Sequence, residues 1–175
     1  EQVKISVGIQ KMVRSDLGSG GVAFSIDTET GYNGAIIINS AFGLGELVVS
    51  GRVKPDEIMV DKRALKSNKY PIIGKKLGNK NVKIIYNNSL FKEQGKESTV
   101  ENETLTVNTT NKELKTYSLT DNQIMYLAKC VDTLETEFSQ LLGNKIAIDV
   151  EWALDGLDGK NYIIQARPET VHSNK

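Results

Sequence analysis

Asp149-Val150-Glu151-Trp152-Ala153-Leu154-Asp155-Gly156-Leu157-Asp158-Gly159-Lys160-Asn161-Tyr162-Ile163-Ile164-Gln165-Ala166-Arg167-Pro168 is the stretch whose reading decides the fold. Ile148, Val150, Trp152 and Leu154 fall on one side of a two-residue repeat, and Asp149, Glu151 and Ala153 fall on the other. That is the pattern of a half-buried strand. Two Asp-Gly pairs then make a turn. On the return, Tyr162, Ile164 and Ala166 alternate with Ile163, Gln165 and Arg167, and Pro168 closes the ladder because it has no N–H to donate. If Leu154 pairs with Lys160 across the turn, Glu151, Gln165 and Arg167 share one face. A slip of one residue would separate them.

A carboxylate, an amide and a guanidinium on one face form a set with definite chemistry. Mg²⁺ takes one or two carboxylates and completes its shell with substrate phosphate oxygens and water, so Glu151 with Gln165 beside it fits half of such a site. Arg167 offers a planar fork to phosphate oxygens. The same spacing also describes a solvated sheet face with an ordinary Glu/Arg cross-strand pair.

Elsewhere the pattern is mostly strand. Val3, Ile5, Val7, Ile9, Lys11 and Val13 share one alternating face, and after the breaker Gly18-Ser19-Gly20-Gly21 a second alternation runs through Val22, Phe24 and Ile26, predicting a strand-loop-strand unit. A turn at Thr30-Gly31 leads into the apolar run Ala35-Ile36-Ile37-Ile38, and Glu57 to Val60 and Lys83 to Tyr86 are further strand candidates. Asn87 to Thr116 reads as weak strands joined by exposed turns. One long helix begins after Thr120, whose hydroxyl and Gln123 form a capping box, with Asp121 favourable at the positive helix end. Ile124, Leu127, Ala128, Val131, Leu134, Phe138, Leu141 and Leu142 draw its apolar stripe. Gly143 is placed to stop it. The predicted architecture is α+β, a mostly antiparallel sheet with one long helix packed on it.

Composition bounds the function. The chain has 175 residues, 22 Lys or Arg against 22 Asp or Glu, and a single cysteine, Cys130. Balanced charge argues against general attraction to nucleic acid or to anionic membranes. No apolar run approaches the roughly 20 residues that span a bilayer, and one cysteine permits no internal disulfide, which suits reducing surroundings. The expected location is the cytoplasm, with Cys130 a small core residue. Asp61 to Lys92 carries nine Lys or Arg against the single acid Asp61; with few aromatics interleaved among them it reads as a lysine-covered surface rather than a single-strand platform. Gly18-Ser19-Gly20-Gly21 matches neither the phosphate loop nor the dinucleotide fingerprint.

Several runs together resemble a known family. Asp149 to Val171, Gln10-Lys11-Met12-Val13-Arg14-Ser15-Asp16 and Phe24-Ser25-Ile26-Asp27-Thr28-Glu29-Thr30-Gly31 are similar to the phosphoenolpyruvate synthase family. So are Gly43-Leu44-Gly45-Glu46, Val53-Lys54-Pro55-Asp56-Glu57, Lys76-Leu77-Gly78 and Tyr117-Ser118-Leu119-Thr120-Asp121. These pieces occur in family order over nearly the whole chain. The match is to the N-terminal ATP- and pyruvate-binding region, in the later half of its ATP-grasp fold.

The resemblance implies residues 1–175 to be one ATP-grasp C-terminal subdomain, with a surface excursion over about 61–118. The chain opens on a strand-like segment without an initiator Met, as if continuing upstream sequence. Glu151 matches the family's metal-binding acid and Gln165 its amide partner near Mg²⁺ and the phosphates. Arg167 matches the catalytic arginine placed for the transferred group. Gln10 and Met12 become candidates for the adenine edge, where a strand backbone offers an N–H and a C=O, and Glu46 for a phosphate-bound cation. The implied activity turns ATP, pyruvate and water into phosphoenolpyruvate, AMP and phosphate through a phosphohistidine relay. The implied partners are ATP and the pyruvate and carrier-histidine domains of a parent chain. His172 sits in the tail and is not that carrier, and the other half of the phosphate cradle is missing, so this piece alone is expected to be inactive. A rifampicin-type antibiotic phosphotransferase and pyruvate phosphate dikinase share this logic, and a non-catalytic binding module is the alternative of another class. The chain departs from the family pattern at Gly143-Asn144-Lys145-Ile146, which is longer and lacks the usual proline.

Overall fold

Twenty-two residues of uninterrupted helix, Asp121–Leu142 (α4), lie against a six-stranded sheet. The computed structural model describes residues 6–67, 69–87 and 103–170. In chain order the sheet strands are β1 (Ser19–Phe24), β2 (Ala35–Phe42), β3 (Asp56–Asp61), β4 (Ile72–Lys76), β7 (Ile148–Leu154) and β8 (Asn161–Pro168), arranged β4-β3-β2-β1-β7-β8. Every pairing is antiparallel. A separate two-stranded ribbon joins β5 (Val82–Tyr86) to β6 (Thr104–Asn108). Short helices α1 (Glu46–Val49), α2 (Lys62–Lys66) and α3 (Asn111–Leu114) fill the connections. The fold is thus the expected α+β arrangement of a mostly antiparallel sheet and one long helix.

The helix forms where its signals lie. The Thr120 hydroxyl accepts from the Gln123 amide, Gln123 reaches back to the Thr120 N–H, and Gly143 ends the helix at φ +73°. Ile124, Leu127, Ala128 and Val131 are completely buried against Ile38, Ile58, Val150 and Trp152, each large side chain contributing roughly 1.5–3 kcal/mol. The stripe ends earlier than its spacing implies, because Leu141 and Leu142 are exposed. Cys130 is half-buried rather than core, and burial pushes its thiol above the usual range.

Two expectations for the N-terminal part are corrected. Residues 6–14 join no strand ladder. Val7 and Ile9 stand in solvent, since no described strand lies alongside to receive an alternating face. Val3 and Ile5 lie outside the described residues. Ser19, Gly20 and Gly21 are not a breaker but the first residues of β1. A side chain at Gly21 would run into the Asn39 backbone of β2, and one at Gly20 into Gly45, so these glycines permit close approach within the sheet.

The lysine-rich stretch is not simply a surface. Its described residues supply α2, the edge strand β4 and β5, and the wider excursion of about 61–118 adds β6 and α3. Lys62 Nζ donates to both oxygens of Glu135 at 2.8 and 2.6 Å, and Glu135 also accepts from the Ser25 hydroxyl at 3.0 Å. Lys80 is wholly buried on Asp56. Asp56 further accepts from the Gly78 amide at 2.9 Å and from the amide and hydroxyl of Ser118 at 2.8 and 2.9 Å. One carboxylate thereby ties β3, the connection after β4 and the turn before α4. Of the weak strands and turns expected between Asn87 and Thr116, β6 is found and is largely exposed, but Asn111–Leu114 is the short helix α3, capped by Thr110 and Glu113; residues 88–102 lie outside the described set.

Asp56→Ala leaves the Lys80 ammonium buried without its counter-ion, and urea unfolding should show a loss of about 3–5 kcal/mol. At the other end of this region, Asp121 is held below the usual carboxylate range, chiefly by Lys75 and then by Tyr70. A depressed folded pKa gives stability that is present above the ordinary Asp value of about 3.9 and lost as pH falls through the lowered one. The denaturation midpoint of Asp121→Asn should therefore lie below wild type at neutral pH and converge with it on acidification below that value.

Candidate functional site

The β7–β8 hairpin carries the acid, the amide and the guanidinium, and its register differs instructively from the expected one. Leu154 pairs with Asn161, not Lys160, one residue out of the anticipated phase. Uncorrected, that slip would send Gln165 and Arg167 to the helix side of the sheet. The ladder runs Trp152 opposite Ile163 and then Glu151 opposite Gln165, so Ile164 is an extra residue in β8. This bulge restores the parity. Beyond it, Glu151 faces Gln165 and Asp149 faces Arg167, all on the side away from α4, while Val150 and Ala166 face the core.

Glu151 and Gln165 are direct cross-strand partners, a placement that puts their Cβ atoms roughly 5 Å apart. Neither side chain makes a hydrogen bond or ion pair with another described residue. Arg167 does. Its Nε and Nη2 both donate to Asp149 Oδ2, at 2.8 and 2.7 Å. Asp149 is the site-adjacent residue that sequence reasoning placed on this face without giving it a part. The anticipated register set Asp149 opposite Gln165, and only the shifted register, with Glu151 opposite Gln165, sets Asp149 opposite Arg167.

A cleft of about 480 Å³ opens beside the hairpin, lined among others by Gln10, Met12, Glu46 and Glu151. Four of the six candidates therefore meet in one concavity. Gln165 joins it through Glu151, and Arg167 stands two residues further along β8. One wall is the extended stretch 10–13, held down by side chains rather than by a ladder. Gln10 Nε2 donates to the Ile164 carbonyl at 3.3 Å, and Lys11 Nζ donates to the Tyr162 hydroxyl at 3.0 Å. Tyr162 in turn donates to Asp158 at 2.6 Å. Behind them the Arg14 amide donates to Asp155 Oδ2 at 3.3 Å, and the Gly156 amide to the Arg14 carbonyl at 3.0 Å. The Tyr162 bond raises the Lys11 ammonium and lowers the Asp158 carboxyl, so Lys11 and Asp158 carry opposite charges at neutral pH. No described residue bonds the backbone N–H or C=O of Gln10 or Met12, which leaves a hydrogen-bonding edge at the cleft.

The opposite wall is α1 and the glycine turn before it. Glu46 is exposed and meets Arg52 Nη2 at 2.5 Å, so its charge already has a neighbour. Among the described residues no group of three or more His, Cys, Asp or Glu could enclose a metal ion. The donor set does fit a hard cation completed by a ligand. One unengaged carboxylate, Glu151, with the Gln165 amide oxygen beside it supplies hard oxygen donors and leaves most positions to phosphate and water. His172 lies outside the described residues, and among the described residues no helix is long and apolar enough to cross a membrane.

The chain is similar in sequence to named relatives. A phosphoenolpyruvate synthase of Helicobacter pylori is 47% identical over 99% of this chain and 20% of its own length. Those of Aquifex aeolicus and Escherichia coli are 44% and 41% identical over 99% and 98% of the chain. The chain spans about one fifth of the length of these relatives. The family model of the pyruvate phosphate dikinase AMP/ATP-binding domain matches residues 1–175, and the chain belongs to that family.

Proposed function

We propose that this chain is the C-terminal subdomain of an ATP-grasp fold and forms half of the Mg-ATP site of a cytoplasmic phosphoenolpyruvate synthase. The observation that carries this reading is the convergence of Glu151 and Gln165, both unengaged, beside the forked Arg167. Relatives of that name at 40–47% identity support the reaction class.

Each residue then has a defined task. The free backbone edge of Gln10 and Met12 receives the adenine, with an N–H and a C=O matched to the purine's acceptor and donor. Glu151 and the Gln165 oxygen hold Mg²⁺ against the phosphates, and Glu46 adds negative charge across the cleft. The ion, when bound, neutralises phosphate charge. Arg167 exchanges its Asp149 contact for oxygens of the transferred group and opposes the charge that develops there. Asp149 acts as a positioning residue that keeps the guanidinium on the outer face until the ligand arrives. The pyrophosphoryl group passes to a histidine on another domain of the full-length protein, phosphate leaves, and the remaining phosphoryl reaches pyruvate on a third. Overall, ATP, pyruvate and water give phosphoenolpyruvate, AMP and phosphate. The chain alone completes no turnover, since the remaining phosphate cradle and the carrier histidine lie elsewhere.

Thermal unfolding of the 175-residue chain with and without Mg-ATP is the direct test, because a ligand of the native state raises its stability by mass action. A small rise at millimolar nucleotide that disappears in Glu151→Gln is expected; a large rise at micromolar nucleotide, or an undiminished one in Glu151→Gln, contradicts the half-site. In the full-length protein, Arg167→Ala should fold normally and lose about 10³-fold or more in phosphotransfer. Wild-type turnover in that variant would refute its assigned role.

A further inference from the structure

Tyr86, the last residue of β5, stands outside the six-stranded sheet and yet lines the cleft together with Met12, Val49 and Glu151. Its position is built by the ribbon. Residues two apart on a strand point the same way, so Ile84 and Tyr86 share a face of β5. Ile84 is buried among Ala41, Leu47 and Val53 in a second small core beneath α1. The Leu44 amide donates to the Ile84 carbonyl at 2.9 Å. Gly43, at φ +82°, lies so close that a side chain there would strike that carbonyl. With Ile84 anchored on the glycine turn, the next side chain on its face is delivered to the cleft.

The surroundings suit a flat heteroaromatic ring. Met12 and Val49 present exposed apolar side chains, 59% and 53% accessible, and the half-buried Tyr86 adds aromatic surface to the same lining. A concave site with apolar lining and a few polar groups is the usual form of a small-molecule pocket. Burial chiefly, and then Asp16, hold the Tyr86 phenol above its usual range against the opposing Arg14, so it remains a neutral hydroxyl near pH 7.

We propose that Tyr86 contacts the nucleotide base, its ring packing on the face of a purine whose edge lies along residues 10–13. The β5–β6 ribbon thereby becomes part of the nucleotide site and contributes to selection of the base. This rests on the nucleotide reading given above. Aromatic stacking acts on any π-face and gains with ring size, so a purine is favoured over a pyrimidine.

The test uses the full-length protein with three variants, Tyr86→Phe, Tyr86→Leu and Glu151→Gln, titrated with Mg-ATP, Mg-CTP and Mg-tripolyphosphate. Tyr86→Leu keeps apolar volume and removes the ring. It should weaken ATP about tenfold, reduce the preference for ATP over CTP, and leave tripolyphosphate affinity unchanged. Tyr86→Phe should bind ATP within about twofold of wild type, because the ring is retained. Glu151→Gln should weaken all three ligands. ATP affinity unaltered in Tyr86→Leu, with Glu151→Gln still damaging, overturns the base contact and leaves the nucleotide site standing. Equal losses of ATP and tripolyphosphate in Tyr86→Leu overturn it too, by reducing Tyr86 to a structural part. Wild-type protein that binds neither ATP nor tripolyphosphate removes the nucleotide reading and this inference with it.

Discussion

One extra residue in β8 sets the chemistry of the outer sheet face. At the turn, the hairpin pairs in a phase that would bury Gln165 and Arg167 among the core residues under α4, and Ile164 shifts the phase back. Burying an unpaired guanidinium there would cost several kcal/mol, while its loss from the outer face would leave Glu151 beside an apolar neighbour. The bulge also leaves the Ile164 carbonyl available to the Gln10 amide, so the irregularity that aligns the site residues helps to fix the neighbouring wall. Bulges commonly re-aim side chains next to functional sites.

The sheet divides its two faces cleanly around that alignment. Towards α4, Ala23, Ile38, Ile58 and Val150 alternate into a dry core. Away from it, paired positions run in a row across five strands and onto the sixth: Gln165, Glu151, Val22, Asn39, Glu57 and Lys76. The core thus fixes strand order and register, and the register delivers a polar row to the outer face. Buried polar links reinforce the same strands. Glu135 of α4 accepts from Ser25, and the Ser25 hydroxyl accepts from the Ile148 amide at 2.9 Å, which anchors β7 two residues before the position of Val150 and three before Glu151.

Legibility in the sequence followed the range of the interaction. The capping box at Thr120 and Gln123, the stop at Gly143 and the alternation of β7 are local, and each is found where its residues imply. The bulge at Ile164 was not legible, because pairing depends on the partner strand and Ile163-Ile164 offers two apolar residues with nothing to choose between them. Gly18 to Gly21 had the composition of a turn, and only the nearness of Asn39 and Gly45 explains glycine within a strand. Lys62 and Lys80 looked like surface charges because their partners, Glu135 and Asp56, lie 73 and 24 residues away. For the candidate site, alternation singled out Glu151, Gln165 and Arg167 and the family pattern added Gln10, Met12 and Glu46, whereas the engagement of Arg167 by Asp149 and the arrival of Tyr86 on a separate ribbon depend on contacts between distant segments.

The ion pairs fall into two physical kinds, and the difference bears on how a charged ligand could be received. Lys80 with Asp56 and Lys62 with Glu135 are shielded from water. Separating either leaves a bare charge in low dielectric, so these pairs behave as fixed parts of the scaffold. Arg167 with Asp149 is of the other kind, the guanidinium being 62% exposed. Water screens that pair, and its contribution to stability is correspondingly small. A phosphate oxygen arriving at the outer face can take the place of an Asp149 oxygen on the exposed fork with little movement of the guanidinium, while Asp149, only 13% exposed, stays beside it as a negative charge on the same strand pair. Glu46 with Arg52, also exposed, offers the same freedom across the cleft. The scaffold holds its charges where they cannot exchange and leaves exchangeable ones at the cleft, which is the distribution a transient, highly charged ligand requires.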